Sequence, residues 1–492
     1  MRKFSVEEKG SILAQYPEYE MNIGIEVHVQ LNTKSKIFCS CSNEVIEQPN
    51  LNICQICAGY PGVLPVLNEA VVNKAILAGL ATTSKITKRS SFARKHYFYP
   101  DLPKNYQITQ HTDPICTEGK IRIKTEDGKD KYIRLMRIHI EEDAGKNIHA
   151  PQANASFVNL NRTGTPLLEI VTYPDISSTH EAKEYLKKLR LIVQYLDICS
   201  GNMEEGAFRA DTNISFRKKG SKNFGTRCEL KNINSFKFIG DAIEYEITRQ
   251  IELLEAGEKI VQETRLWDTK QKITVAMRSK EEAADYRYFD DPDLPIIEIR
   301  EEQINQAQNA LPELPDQKLD RLCIKHGLSE YEANILIDDL ELSKYFDDAA
   351  NYTKSEQLIN WVLRNLLSYI KEHKITLSAC KVTPQKLANL VELIENGTIN
   401  NKVAQEVFEI CAETGNEPHI IVEERGLKQI GSTDELDLAV QKIVQQYPDM
   451  VADYRAGKER VFGFLVGQAM KETQGKGNPK IIQEILKKYL AN

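Results

Sequence analysis

Ile23-Gly24-Ile25-Glu26-Val27-His28-Val29-Gln30-Leu31 places an aliphatic side chain at every odd position and Glu26, His28 and Gln30 at even ones. Successive side chains of a strand point to opposite faces, so this period of two predicts a β-strand with one apolar face and one face that carries Glu26 and His28 together. Two residues of extended chain separate them by about 6.5 to 7 Å, which lets both converge on one bound ion or phosphate. A solvated polar face on a half-buried strand is the ordinary alternative.

Working outward, short period-two stretches broken by Gly, Pro and Asn continue through the first 295 or so residues, with a few helices between them. The remainder reads almost entirely as helix. Ser329 followed by Glu332 predicts a capping box, Thr383-Pro384 and Asn478-Pro479 place an N-cap before a first-turn proline, and Ser432 precedes Glu435. The acidic, proline-broken segment Asp290-Asp291-Pro292-Asp293-Leu294-Pro295 suits a boundary, and a weaker break lies near Gly415 to Arg425. The expected class is therefore α+β: a strand-rich domain over 1–295, an all-helical domain over 296–425 and a small helical tail domain over 426–492.

The chain has 492 residues, 41% hydrophobic and 27% charged, with a mean hydropathy of -0.43. That composition fits a globular chain of about three domains and excludes wholesale disorder. No stretch approaches the roughly 20 apolar residues of a membrane span, and the first residues hold no apolar signal core, which implies the cytoplasm and no membrane partner. The net charge of -7 means that nucleic-acid contact has to come from local basic patches. One such patch runs from Ala452 to Asn492, where eight Lys or Arg face four acids. It includes Lys458, Arg460, Lys471 and Lys476, and a solvated basic helix is its ordinary reading.

Four of the ten cysteines fall in one window: Cys39-x-Cys41 and Cys54-x2-Cys57, with twelve residues between the pairs. Two close thiolate pairs suit one tetrahedral structural zinc, and four sulfurs would close its coordination shell. Acids also occur where alternation predicts apolar surroundings. Glu142, at the end of Ile138-His139-Ile140-Glu141-Glu142-Asp143, falls on the face of Ile138 and Ile140, and Glu169 in Leu167-Leu168-Glu169-Ile170-Val171 shares a face with Leu167 and Val171. A buried carboxylate is costly unless it is paired, protonated or on a metal. Three carboxylates and an imidazole would suit a hard divalent cation, most simply Mg2+, with Mn2+ or Zn2+ left open by the histidine. Further polar strand faces occur at Arg209, Asp211 and Asn213 and at Glu229 to Ser235, and Arg94 to Pro100, with Lys104 beyond, mixes cations with aromatics.

Several activities lack their motifs. There is no phosphate-binding G-x-x-x-x-G-K-[ST], no protein-kinase motif set, no G-x-S-x-G elbow, and Arg2 follows Met1 where a glutaminase cysteine would stand. A chain with these residues does not easily make ammonia by itself.

Beyond these readings, the sequence resembles the B subunit of the tRNA-dependent amidotransferase GatCAB over nearly its full length. The resemblance rests on Gly24 to Leu31, Tyr60-Pro61-Gly62-Val63-Leu64-Pro65, Lys95 to Asp101, His139 to Lys146, Leu160 to Leu167, Met203-Glu204-Glu205-Gly206, Glu229 to Ser235, Asp285 to Phe289 and Gly463 to Gln468. It implies a cradle domain, a helical domain and a tail. It implies an ATP-dependent carbon–nitrogen ligase that phosphorylates the side-chain carboxylate of Glu on tRNA(Gln), or Asp on tRNA(Asn). Ammonia, released from glutamine by an A subunit, then displaces the phosphate, and a C subunit completes a heterotrimer. Carried over by position, the family's catalytic Mg2+ ligands fall on Glu26, His28, Glu142 and Glu169, and the four cysteines match its zinc pairs. Lys104, Arg209 and Lys231 are weaker candidates for nucleotide or phosphate contact, and with a tRNA substrate implied, Lys458, Arg460, Lys471 and Lys476 become candidates for shape-based tRNA contact, a solvated basic helix being the alternative. A non-catalytic, zinc-containing tRNA-binding scaffold and a metal-dependent hydrolase are the rival readings of the same residues.

Overall fold

The computed structural model describes residues 12–150, 155–277, 286–429, 433–473 and 475–491. Residues 1–11, Asp285 and the expected helix-start residue Ser432 lie outside the described residues.

The opening strand is realised as β1 (Tyr19–Gln30), whose residues alternate strictly between buried and half-buried along its whole length. It lies inside a ten-stranded sheet together with β2 (Asp130–Glu142), β3 (Pro166–Thr172), β4 (Phe208–Lys218) and β5 (Cys228–Lys231). Across the middle of that sheet the order is β5, β4, β1, β3, β2, with each neighbouring pair antiparallel. Short strands extend both edges, and β5 pairs in parallel with Thr264–Asp268.

The apolar face of the sheet is covered by helices. The odd residues of β1, Tyr19 to Val29, join one core with residues of α1 (Glu69–Ala81), α2 (Thr179–Tyr195) and α3 (Phe236–Glu255). Ala182, Tyr185, Leu186 and Leu189 recur at helical spacing on α2, and Ile239, Ile243, Ile247 and Ile251 do so on α3, so each helix presents an apolar stripe to the sheet. Ser178 and Ser235 start these helices by accepting from the backbone N–H of Glu181 and Phe238, each at 3.1 Å. Ile25 and Val27 are fully buried, and each such side chain contributes about 1.5–3 kcal/mol by leaving water. The even face of β1 is thereby left to the polar residues.

The chain packs as two compact units, Met1–Pro315 and Asp316–Asn492. The first continues past the proline-broken segment because Phe289–Asp290 pairs with Ala93–Arg94, and Ile297–Glu298 pairs with Arg89–Ser90. Arg94 reinforces that return through Asp291 at 2.9 Å and Asp293 at 2.6 Å. The second unit is helical. Ser329 and Glu332 form the expected capping box, Thr383 caps a helix that begins at Pro384, and Asn478 accepts from Lys480 N before Pro479–Ala491. Its last helices enclose a core of their own, with Leu436, Val440, Leu465, Ile482 and Leu486 buried. A strand-rich region followed by helices agrees with the α+β expectation.

Candidate functional site

Strand register builds the site. His28 lies directly opposite Glu169 on one side and Arg209 on the other, and Glu169 lies opposite His139. Four neighbouring strands therefore carry a lateral row, His139–Glu169–His28–Arg209. Glu141, two residues beyond His139, completes a cluster in which His28 Nε2 lies 3.4 Å from both Glu141 Oε1 and Glu169 Oε2, and His139 Nε2 lies 3.2 Å from Glu169. One ligand atom from each of His28, Glu141 and Glu169 falls within 4.8 Å of the others. Adjacent ligands around a small octahedral cation, each about 2.1 Å from it, stand about 3 Å apart, so these donors fit such an ion with little movement.

Protonation follows from the same geometry. Burial opposes a charge on His28, but the Glu141 and Glu169 carboxylates outweigh it and push its pKa up to about 10. Burial likewise works against ionising Glu169, yet its two histidine neighbours hold it well below the usual carboxylate range. The histidine protons thus compensate the acids in the place a cation would. Glu26 differs: burial, then the nearby acids Glu169, Glu229 and Asp211, raise its pKa.

Glu26 stands on the same face one step along β1, opposite Asp211, and accepts from Asn213 Nδ2 at 3.0 Å. Lys231 bridges Asp211 at 3.0 Å and Glu229 at 3.2 Å. His28, Lys95, Glu141, Asp143, Arg209 and Lys231 all line one cavity of about 440 Å³. The structure thus brings together His28, Glu169, Glu26, Arg209 and Lys231 from the expected set.

It places Glu142 and Lys104 elsewhere. Glu142 stands on the opposite face of β2, as its neighbours Ile138 and Ile140 predict, where it is ion-paired with Lys104 and accepts from Ile108 N at 2.9 Å. The carboxylate that faces His28 is Glu141. Acids on apolar faces mark Glu142 and Glu169 in the sequence but leave Glu141 and His139 unmarked. The signal that finds them is the alternation itself, since His139 and Glu141 share one face of β2.

The four cysteines converge as a separate group. Cys57 Sγ lies 3.8 Å from Cys54 Sγ and 4.0 Å from Cys41 Sγ, too far for disulfides. The edge of a tetrahedron with zinc–sulfur bonds of about 2.3 Å is about 3.8 Å, so the donor set fits zinc. Contact with the Cys39 thiol lowers the Cys57 pKa to about 5, and burial raises that of Cys41 to about 11. Cys54 N donates to Cys57 Sγ at 3.0 Å, and buried Lys36 lies 3.9 Å from the same sulfur. Gly59, just beyond the cluster, has a left-handed φ of +68°, and a Cβ there would come within 3.0 Å of Lys104 N, so only glycine allows this approach to the 97–105 loop.

In the tail, Arg460 and Lys471 are exposed at the two ends of Arg460–Glu472, while Lys476 is half-buried. Lys458 already pairs with Asp453 at 2.9 Å. Arg455 is committed to the carbonyls of Tyr489 and Leu490, which close the last helix.

A polar sheet face thus gathers imidazole, carboxylates and cations around one cavity, opposite a helix-covered apolar face. Residues 21–305 match the family model of the GatB/GatE catalytic domain, and residues 344–490 match that of the GatB domain. Curated relatives, each the B subunit of an aspartyl/glutamyl-tRNA(Asn/Gln) amidotransferase, come from Thermodesulfovibrio yellowstonii, Brachyspira hyodysenteriae and Chlorobium phaeobacteroides. Each is 49% identical over 96% of this chain and 99%, 100% and 99% of its own length, respectively. The chain belongs to the GatB family. Among the described residues, no helix is long and apolar enough to cross a membrane.

Proposed function

We propose that this chain is the kinase and transamidase subunit of a glutamine-dependent amidotransferase, an ATP-dependent carbon–nitrogen ligase acting on misacylated tRNA in the cytoplasm. Its relatives' names supply the substrate class, and the cluster of His28, Glu141 and Glu169 beside Arg209 and Lys231 is the observation that carries the chemistry. A side-chain carboxylate does not lose hydroxide to ammonia, so it is first made a better electrophile. Its oxygen attacks the γ-phosphorus of ATP and ADP leaves, giving an acyl phosphate. Ammonia then attacks the carbonyl carbon, phosphate leaves with the bonding pair, and the nitrogen loses a proton to give the amide.

His28, Glu141 and Glu169 would hold Mg2+ with Glu26 beside them, and the ion when bound would draw charge from the phosphoryl oxygens. Arg209 and Lys231 hold anionic oxygens in the cavity through charge-assisted hydrogen bonds. Glu142 and Lys104 neutralise one another and fix the wall formed by the 97–105 loop. Ammonia comes from an A subunit, a C subunit joins both in a heterotrimer, the Cys39, Cys41, Cys54 and Cys57 group holds structural zinc, and Lys458, Arg460, Lys471 and Lys476 meet the tRNA. The chain mixed with its A and C partners, glutamine, ATP and Mg2+ is expected to amidate Glu-tRNA(Gln), Asp-tRNA(Asn) or both. No amide on either tRNA would overturn the proposal.

A further inference from the structure

Asp143, the residue after β2, collects donors from three distant segments. Its Oδ2 accepts from Arg209 Nη2 at 2.9 Å and Gln30 Nε2 at 3.0 Å, and lies 3.5 Å from Arg162 Nε. The carboxylate is 7% exposed, so its charge is compensated by these groups and not by water. Its backbone is also fixed: Asp143 N donates to Thr165 O at 2.8 Å, and Gly164 N donates to Asp143 O at 3.0 Å.

The two arginines are used differently. Arg162 spends Nε and Nη2 on the carbonyls of Ala144 and Gly145, at 2.9 and 2.7 Å, and so anchors the loop that carries Asp143. Arg209 gives Asp143 a single nitrogen, stands opposite His28 of β1, and is one-third exposed toward the cavity. A guanidinium on a flexible stem loses affinity for an anion to its own rotamer freedom, and a buried carboxylate that grips one terminal nitrogen removes that freedom; with Arg209 Nε buried, Nη1 is the nitrogen left for a ligand.

We propose that Asp143 is a positioning residue that locks Arg209 across the cradle, so that its remaining terminal nitrogen, Nη1, meets a phosphoryl oxygen of the reacting substrate beside His28. This rests on the function proposed above. The phosphoryl oxygens belong either to the nucleotide or to the acyl phosphate on the tRNA, and the two sources separate kinetically.

The test uses the complete A, B and C assembly with Asp143→Asn, Asp143→Ala, Arg209→Ala and the Asp143→Ala/Arg209→Ala double variant. Removal of one charge-assisted hydrogen bond predicts an increase of about tenfold in KM for Asp143→Ala, with Asp143→Asn between it and wild type. The increase falls on ATP if the nucleotide is held and on misacylated tRNA if the acyl phosphate is held. In the Arg209→Ala background, Asp143→Ala is expected to add less than about twofold, the non-additivity of residues that act as one unit. Fully additive effects, or an Asp143→Asn protein with wild-type KM for both substrates, would overturn the inference. Failure of the underlying function is distinguishable, because the wild-type assembly itself would then cleave no ATP in response to misacylated tRNA.

Discussion

Glu169 stands between two histidines from the strands on either side of it, 3.4 Å from His28 Nε2 and 3.2 Å from His139 Nε2. Neither imidazole belongs to its own strand, so the sandwich exists only because β1, β3 and β2 adopt one register. A one-residue slip of β3 would turn Glu169 to the apolar side and put Leu168 or Ile170 among the histidines. The same register makes Glu141, and not Glu142, the acid that faces His28.

That distinction predicts different failures for adjacent residues. Glu141→Gln is expected to weaken divalent-cation binding by at least about tenfold, measured with Mn2+ by electron paramagnetic resonance. Glu142 acts through its pair with Lys104, both largely buried. Lys104→Met leaves that acid buried and unpaired, at a cost of about 3 kcal/mol in urea unfolding. Unchanged Mn2+ affinity in Glu141→Gln, or unchanged unfolding in Lys104→Met, would contradict the corresponding half.

The histidine sets a pH dependence whose sign is fixed. His28 has its pKa raised from 6.5 to about 10 by the two carboxylates. In the metal-free protein its contribution to stability is present below about pH 6.5 and is lost as pH rises toward 10. A metal ligand has to be the neutral imidazole, so cation binding displaces that proton and tightens with rising pH over the same range. Unfolding midpoints in chelator are expected to fall between about pH 6.5 and 9.5, and Mg2+ is expected to offset the fall. Pure apoprotein that gains stability over this window would refute the assignment.

Purified chain is expected to hold one zinc atom per molecule, and Cys57→Ser is expected to lose it, as measured by elemental analysis. The four cysteines sit where the chain returns against the 97–105 loop through Gly59. Metal loss is therefore expected to expose residues 39–57 to proteolysis before the rest of the chain. Full zinc content in Cys57→Ser would exclude the four-sulfur site.

For the tail, replacing Arg460 and Lys471 by alanine is expected to weaken tRNA binding and to reduce the slope of log affinity against log salt by about one for each phosphate that the variant no longer neutralises. Lys458 is already paired with Asp453, so its replacement is expected to change the slope less. An unchanged slope after removal of residues beyond 425 would end the idea that the tail meets tRNA.

How far the sequence carried differs from one element to the next, for physical reasons. The alternation in β1 needs no partner to be read, because a covered sheet face imposes it residue by residue, and the caps at Ser329, Thr383 and Asn478 are equally local. The cysteine pairs announce their convergence by spacing. The acids are harder to read. Glu169 is alone among aliphatics, whereas Glu141, Glu142 and Asp143 are consecutive acids with three fates: one at His28, one on Lys104 and one gripping Arg209. Which is which depends on where β2 ends and what its neighbours present, and those partners lie 38 to 113 residues away in the chain. The return of Phe289–Asp290 to Ala93–Arg94 is likewise a long-range pairing behind a segment whose prolines read locally as a break.

The step on which the proposed function turns is activation, in this cradle, of the carboxylate carried by a misacylated tRNA. Its most direct test is ADP release by the assembled complex in the presence of ATP and Mg2+, with Glu-tRNA(Gln) or Asp-tRNA(Asn), with the correctly charged tRNA, and with uncharged tRNA. ADP release is expected with a misacylated tRNA alone, and its loss in Glu169→Gln. ADP release at the same rate with uncharged tRNA, or none with either misacylated tRNA, would contradict it.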